Sequence, residues 1–573
     1  MVERVKDILK TINSISDIRE VFDIDKKKDK SYESLIRFSI QIKEQKIGIV
    51  MAIPFDWERR LIDIFVEDYM NFEFIPHMYK DGHICLYDLE GVLFNKNFDC
   101  LVNESINRLE KILIEGIERT NKLDFITEFD AYWNQLSNIG IIKSFVVLED
   151  KLKKIKYISN YKLSNEKLNL SVADKEGELK KICKHSTIKN AVYLNIKSKD
   201  FIYPPDWRKK LDINYVNNLL RIGEIEYQNI KTLMKSFGNE LLLLININQP
   251  NGFNIPIAIF VKNYNEKLIR HNKYFQLNIG CKCIPLGVLR NDSEYLVKRG
   301  GIFTDIRDKK VLIIGCGSIG GYLVSELVKA GFYNLCLVDE DILTAENIYR
   351  HLLGLEFVGQ YKTKAIIKHL ENNIPGIKME SFEEKIENLI EDYKIDFEEF
   401  DLIVSATGNH NVNRWINKYV IYNNIITPVV YLWNEVLGIG NHALLIDVKN
   451  KGCFECLIGQ DDEGLYDKTS YCKRGQVFTK KYNGCHSTFL PFGSIHSIKT
   501  VCMGVELALK YFNGEIEENY LISQKGDDTY MTKEGLLTSD RYKRQINDIW
   551  KLSGIDFENE QCDICHKEEN VWV

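Results

Sequence analysis

Three sets of residues in this 573-residue chain have the types and spacing to do chemistry. Gly315, Gly317 and Gly320 form G-x-G-x-x-G inside KKVLIIGCGSIGGYLVSELVKAG, between an apolar run and an amphipathic one. Without β-carbons there, backbone amides and a helix N-terminus can approach a phosphate. Asp339 closes the next apolar run, where a carboxylate can bond a ribose hydroxyl. That pattern alone specifies a nucleotide, and a nicotinamide or flavin enzyme satisfies it equally. The stretch DEDILTAENIYRHLLGLEFVGQYK narrows it: Asn347 and Arg350 stand one helical turn apart, and Lys362 follows. A dinucleotide needs little positive charge, whereas a triphosphate whose pyrophosphate must leave calls for fixed cations. ATP is therefore the expected nucleotide.

The second and third sets are cysteines. Cys453 with Cys456, and Cys562 with Cys565, are two C-x-x-C pairs that together could hold a structural Zn²⁺ as a four-thiolate site. Cys485 stands in the polar segment KKYNGCHSTFLPFG with His486 beside it to lower the thiol pKa, and Cys85 stands in FIPHMYKDGHICLYDLEG. Thiolates are nucleophilic near neutral pH and form energy-rich thioesters.

The rest of the chain must position these groups. Hydrophobic residues make up 45% and charged residues 28%, so a folded chain is expected rather than a disordered or coiled-coil one. A net charge of -6 offers no footprint for nucleic acid or a membrane surface. Fourteen cysteines are too few for a disulfide scaffold, MVERVKDILK lacks the apolar segment of a secretory signal, and no apolar run reaches membrane-helix length. Reduced thiols in the cytoplasm are the expectation. Residues 1–147 show a helix, then strand-like runs at 35–42, 46–53 and 61–66, an irregular stretch and a second helix: an α+β domain. Residues 148–297 are lysine-rich, then strand-like (ELLLLININ, IPIAIFVK), and read as a linker or dimer-positioning domain whose Cys281 and Cys283 are buried structural thiols. Residues 298–573 alternate strand and helix as a doubly wound, Rossmann-like α/β domain.

The series GCGSIGG, LVDED, ENIYRH and VGQYK resembles the adenylation domain of the ubiquitin-activating enzyme family, which includes the ThiF/MoeB-type activators of bacterial sulfur carriers. The resemblance covers residues 300–510 and implies that the glycine loop and Asp339 hold adenosine and ribose while Asn347, Arg350 and Lys362 grip the phosphates, with Asp341 a further residue of the ATP site. It also implies that Cys485, on a crossing loop, captures the acyl group from its adenylate. The family's magnesium-holding aspartate is replaced by Gly408 in SATGNHNVNR, so Asp401 or Asp341 compensates, or the phosphates carry most of the Mg²⁺ coordination.

IPHMYKDGHICL, with the meander before it and the helix after it, resembles the active-site stretch of ubiquitin-conjugating enzymes, and EFDAYW at 128–133 resembles divergent bacterial members. This implies a second thioester on Cys85. The asparagine that normally follows the His-Pro pair has no equivalent; His77, His83 or Asp88 either positions or deprotonates the amine or is a loop or cap residue. A conjugating-type domain ahead of an activating-type domain resembles the fusion proteins of CBASS antiphage operons, which attach the C-terminus of a cGAS-like nucleotidyltransferase to target amines. The implied relay runs from acyl-adenylate to Cys485 to Cys85 to a target-protein lysine, with a homodimer expected by analogy. Two alternatives stay open: activation of a sulfur carrier or other ubiquitin-like protein with the N-terminal domain only binding it, or a nicotinamide-dependent oxidoreductase or inactive nucleotide-binding scaffold. RYKRQ at 541–545 resembles an arm at the N-terminus of sulfur-carrier activators; so near the C-terminus, it is taken as coincidence.

Overall fold

The computed structural model describes residues 1–21, 32–87, 97–136, 140–159, 168–182, 187–234, 240–264, 273–301, 306–481 and 488–566. Two units, Met1–Asn291 and Asp292–Val573, each make their own network of contacts.

The first unit opens with helix α1 (Val2–Lys10), whose Val5 and Leu9 are fully buried. Five antiparallel strands follow in chain order: β1 (Ile15–Val21), β2 (Tyr32–Ile42), β3 (Gln45–Pro54), β4 (Asp63–Val66) and β5 (His83–Ile84). Alternation puts Ile36, Phe38 and Ile40 of β2 on the core face, where Ile47, Ile49 and Met51 of β3 meet them. Helix α2 (Phe98–Glu118), capped by the Asn97 side chain on Asp99 and Cys100 amides, covers that face with Leu101, Val102, Leu109 and Leu113. Helix, meander, irregular stretch and helix are all as expected.

After helix α3 (Phe129–Leu136) comes an architecture that the linker reading did not contain: a closed barrel. Its strands are β6 (Gly140–Ser144), β7 (Lys153–Ser159), β8 (Leu168–Ala173), β9 (Lys189–Lys197), β10 (Glu240–Asn248), β11 (Asn254–Lys262) and β12 (Lys282–Arg290), ordered β10-β11-β12-β6-β8-β7-β9. The barrel therefore begins at Gly140, ahead of the expected boundary at 147. Helix α3, through Tyr132, and the β9–β10 connection, through Trp207, tie it to the meander. Trp133 donates its indole N–H to Leu286 O on β12, and Trp207 is buried in the meander's own core. Cys281 and Cys283 are half-buried, and burial pushes the Cys283 thiol up to about 12, so both suit structural roles.

The second unit is an eight-stranded sheet. Its strands are β13 (Lys310–Ile314), β14 (Asn334–Val338), β15 (Lys378–Phe382), β16 (Leu402–Ser405), β17 (Val429–Asn434), β18 (Gly440–Ile446), β19 (Tyr520–Lys525) and β20 (Ile549–Ser553), in the order β15-β14-β13-β16-β17-β18-β19-β20. The first five run parallel; β18, β19 and β20 add antiparallel pairs. The parallel strands read as continuous apolar runs because helices cover both faces. Helices α4 (Ser318–Lys329) and α7 (Ser494–Phe512) pack on one face, and α6 (His410–Tyr422) packs on the other. The chain reverses its direction of travel between the adjacent strands β13 and β16, which opens a crevice beyond their C-terminal ends. Among the described residues, no helix is long and apolar enough to cross a membrane.

Candidate functional site

That crevice is a cavity of about 770 Å³ lined by Gly315, Gly317, Asp339, Asp341, Asn347, Arg350 and Lys362, all expected site residues, together with Gly408. The glycine turn is fixed by its backbone. Gly315 has φ +91°, and a β-carbon on Gly320 would lie 1.9 Å from Gly315 O, so only glycine lets α4 start this close to β13. Asp339 holds the turn from the other side: one carboxylate oxygen accepts Cys316 N–H at 2.6 Å and the other accepts Asp341 N–H at 2.8 Å. Each oxygen keeps a second lone pair for a ribose hydroxyl.

The cations converge from two further elements. Asn347 and Arg350 lie on a 3₁₀ turn, Ala345–Arg350, closed by the Asn347 side chain accepting Thr344 N–H and O–H at 3.1 Å each. The Arg350 guanidinium stacks 5.5 Å from the ring centre of Phe492. Lys362, only 7% exposed at the start of helix α5 (Lys362–Asn373), sets Nζ 2.6 Å from an Asp341 oxygen. A buried ammonium with one carboxylate partner still has donors to offer a phosphate.

The sequence reading missed His351. It is buried, donates from Nε2 to Cys316 O at 2.8 Å, and accepts Leu353 N–H on Nδ1 at 3.1 Å. Those partners fix its tautomer, and burial lowers its pKa, so a neutral imidazole braces the glycine turn. Its signal was visible as the last residue of ENIYRH. Asp401 requires a correction. Its carboxylate accepts Lys310 N–H at 2.9 Å and pairs with Lys309, at the start of β13 and therefore at the opposite end of the strands from the cavity. Asp341, which lines the cavity, is the remaining one of the two carboxylates. Cys485 and His486 lie outside the described residues, as does Asp88; Leu490 and Phe492, a few residues after Cys485, line the cavity wall.

The two C-x-x-C pairs meet despite their separation in sequence. Sγ–Sγ distances are 3.8 Å for Cys453–Cys456, 3.7 Å for Cys453–Cys562 and 3.5 Å for Cys456–Cys565, and all four sulfurs lie within 4.8 Å of one another. Zn–S bonds of about 2.3 Å give a tetrahedral edge of about 3.8 Å, so the cluster has the dimensions of a Cys₄ zinc site. Gly452 permits the approach: at φ +77° it packs where any β-carbon would lie 2.7 Å from Gly554 O. Hydrogen bonding to Cys456 raises Cys453, and that same contact lowers Cys456 to about 7, as thiols competing for few protons must behave.

In the first unit, β5 continues into Cys85 and pairs with the segment before it through Met78↔Ile84. Cys85 N–H donates to His77 O at 2.8 Å and Tyr79 N–H to His83 O at 2.9 Å, around a turn at Gly82 with φ +82°. Met78 and Ile84 face the core; the alternate residues His77, Tyr79, His83 and Cys85 share the other face. His77 is clamped in a left-handed conformation (φ +64°), with Nδ1 2.7 Å from Glu128 and Nε2 3.1 Å from Asp124. Its N–H donates to the Tyr132 hydroxyl, which itself donates to Glu128. Burial opposes protonation of His77, but the hydrogen bonds and charges of Glu128 and Asp124 outweigh it and raise the pKa. A protonated imidazole held at both nitrogens is a clamp rather than a base. His83 pairs with Asp63 at 3.2 Å. The EFDAYW phrase thus works as a brace for the Cys85 loop, with Glu128 and Tyr132 as its contacts.

Comparison with known proteins agrees with this division. Residues 296–521 match the ThiF family, and residues 15–141 match Prokaryotic E2 family B. An ATP-dependent ubiquitin transferase-like protein Cap2 of Pseudomonas aeruginosa is 30% identical over 41% of this chain and 42% of that protein. A Cap2 of Escherichia coli is 21% identical over 83% of this chain and 85% of that protein. A NEDD8-activating enzyme E1 catalytic subunit of Dictyostelium discoideum is 28% identical over 26% of this chain and 35% of that protein. The crystal structure of E. coli MccB with ATP superposes with a TM-score of 0.34 at 18% identity, covering 48% of this chain and 70% of that one.

Proposed function

For a chain that carries a ThiF-family domain and a prokaryotic E2 family B domain, we propose ATP-dependent activation of a protein's C-terminal carboxylate and its ligation to target amines. The observation that carries this reading is the convergence of Arg350, Lys362 and Asn347 on the cavity beyond the glycine turn. Fixed cations there favour a leaving pyrophosphate over a bound dinucleotide.

The carboxylate attacks the α-phosphate, pyrophosphate leaves, and the acyl-adenylate is captured by Cys485. The acyl group then passes to Cys85, and a target lysine takes it as an isopeptide. Joining the domains in one chain makes the second transfer intramolecular, at an effective concentration set by the barrel domain between them. Asp341 is the carboxylate that would hold Mg²⁺, since it lines the cavity as a hard oxygen donor. Cys453, Cys456, Cys562 and Cys565 would hold one structural Zn²⁺, fastening the C-terminal segment to the sheet. The activated protein is a cGAS-like nucleotidyltransferase, by resemblance to the CBASS fusions, and the enzyme is a cytoplasmic homodimer of three-domain chains. The Cap2 names of the relatives support the ligation chemistry.

ATP–pyrophosphate exchange in the presence of a candidate carrier protein is the test. Exchange that disappears in Lys362→Ala supports the adenylation step, and absence of exchange in the wild-type chain would overturn it. Cys85→Ala should leave exchange intact and abolish the isopeptide product.

A further inference from the structure

The two-strand ladder around Cys85 places one neutral polar side chain beside the thiol. Tyr79 lies diagonally across from Cys85, two pairs nearer the turn and on the same face, at a spacing that an aromatic side chain spans. The register puts both side chains on one face, and the Cys85 thiol is among the neighbours that hold the Tyr79 pKa up. The thiol itself donates to Tyr87 O at 3.4 Å, which leaves the sulfur lone pairs as acceptors. The Tyr79 ring is held by stacking on His83, centre to centre 5.9 Å at 25°. His77 and His83, the other polar groups of that face, are both committed to carboxylates.

We infer that the Tyr79 hydroxyl is the oxyanion donor for amine attack on an acylated Cys85, taking the place of the asparagine that this sequence lacks. The inference rests on the reading of Cys85 as the final acyl carrier. A thioester carbonyl oxygen sits on the carbon bonded to sulfur, so a donor on a ring that spans the diagonal to Cys85 stands on the side where that oxygen forms. In the step, the lysine nitrogen bonds to the carbonyl carbon and the C=O π pair moves onto oxygen, where Tyr79 O–H donates to it. The pair returns, the C–S bond breaks, and Cys85 leaves as a thiolate that takes the proton released by the amine. The products are an amide and the free thiol, with no other co-reactant. Burial, then the neighbouring charges, push Tyr79 up to about 12, so it remains a donor across the working pH range.

The test bypasses the carrier by loading the full-length protein with a synthetic peptide α-thioester of mercaptoethanesulfonate, which exchanges onto thiols. Peptide mass spectrometry locates the adduct, and free lysine is then added. Tyr79→Phe keeps the ring on His83 and removes only the hydroxyl. The expected result is a Cys85 adduct in both proteins, the same exchange rate onto the thiol, and lysine amide formation at least tenfold slower in Tyr79→Phe, with an unchanged melting temperature. Discharge at the wild-type rate from a Cys85-loaded Tyr79→Phe chain would overturn the inference while leaving the role of Cys85 standing. Equal amide yields from the wild-type and Cys85→Ala chains would overturn the carrier role and the inference with it. Tyr79→His, which restores a donor on a ring, should recover part of the lost rate.

Discussion

The nucleotide cavity and the Cys85 face are built by opposite means. The cavity is a backbone device: positive-φ glycines, main-chain amides gripped by Asp339, and a neutral His351 holding a carbonyl. The Cys85 face is a side-chain device. Strand alternation selects which residues share the surface, and carboxylate contacts to His77 and His83 hold it in shape. A backbone device tolerates almost no added volume, whereas a side-chain device tolerates isosteres and responds to pH.

Breaking that contrast starts with the largest effect. Arg350→Ala should lower ATP–pyrophosphate exchange by about 10²-fold or more, the usual consequence of deleting one fixed charge at a developing anion, while leaving chemical acylation of Cys85 untouched. A parallel loss of both would show that the two sites are not separable. Gly320→Ala should cost about 1–3 kcal/mol in the second unit, because its methyl would meet Gly315 O at 1.9 Å, and should remove exchange as well. Differential scanning calorimetry with an exchange assay reads both. Cys562→Ser should lower metal content from about one zinc per chain toward zero and depress the melting of the second unit alone. Elemental analysis decides it, and full zinc occupancy in the variant would contradict a four-thiolate site.

The smallest effect sharpens the comparison through pH. The folded pKa of His77 is raised, so its stabilisation is fully present below the ordinary value of about 6.5 and is lost as pH rises through the folded value. The lowered pKa of Glu128, where burial is outweighed by its His77 contacts, makes its contribution present above about 4.5 and lost as pH falls. The melting deficit of His77→Gln should therefore be greatest near pH 6 and shrink toward pH 9. A deficit that grows with pH would remove the clamp.

The same contrast explains what was legible in the sequence. GCGSIGG, LVDED and ENIYRH are contiguous, so a backbone device announces itself as a motif, and Gly315, Asp339, Arg350 and Lys362 fell into one cavity as read. His351 was passed over because a neutral brace resembles any core histidine. Asp401 stayed open beside Asp341 because a carboxylate near a strand start and one near a strand end look alike before direction is assigned. Tyr79 was missed because its relation to Cys85 depends on a ladder register that only the hairpin at Gly82 fixes. The barrel went unseen because its strands are separated by lysine-rich stretches and helices, and because non-neighbours in sequence such as β12 and β6 pair in it.

A non-reducing gel tests the proposed relay between two thiols fed by ATP most directly. With ATP, magnesium and a carrier bearing a free C-terminal carboxylate, the chain should form a thiol-labile adduct on both Cys485 and Cys85. Cys85→Ala should trap the adduct on Cys485, and Cys485→Ala should abolish both. An adduct on Cys85 that persists in Cys485→Ala would contradict the relay.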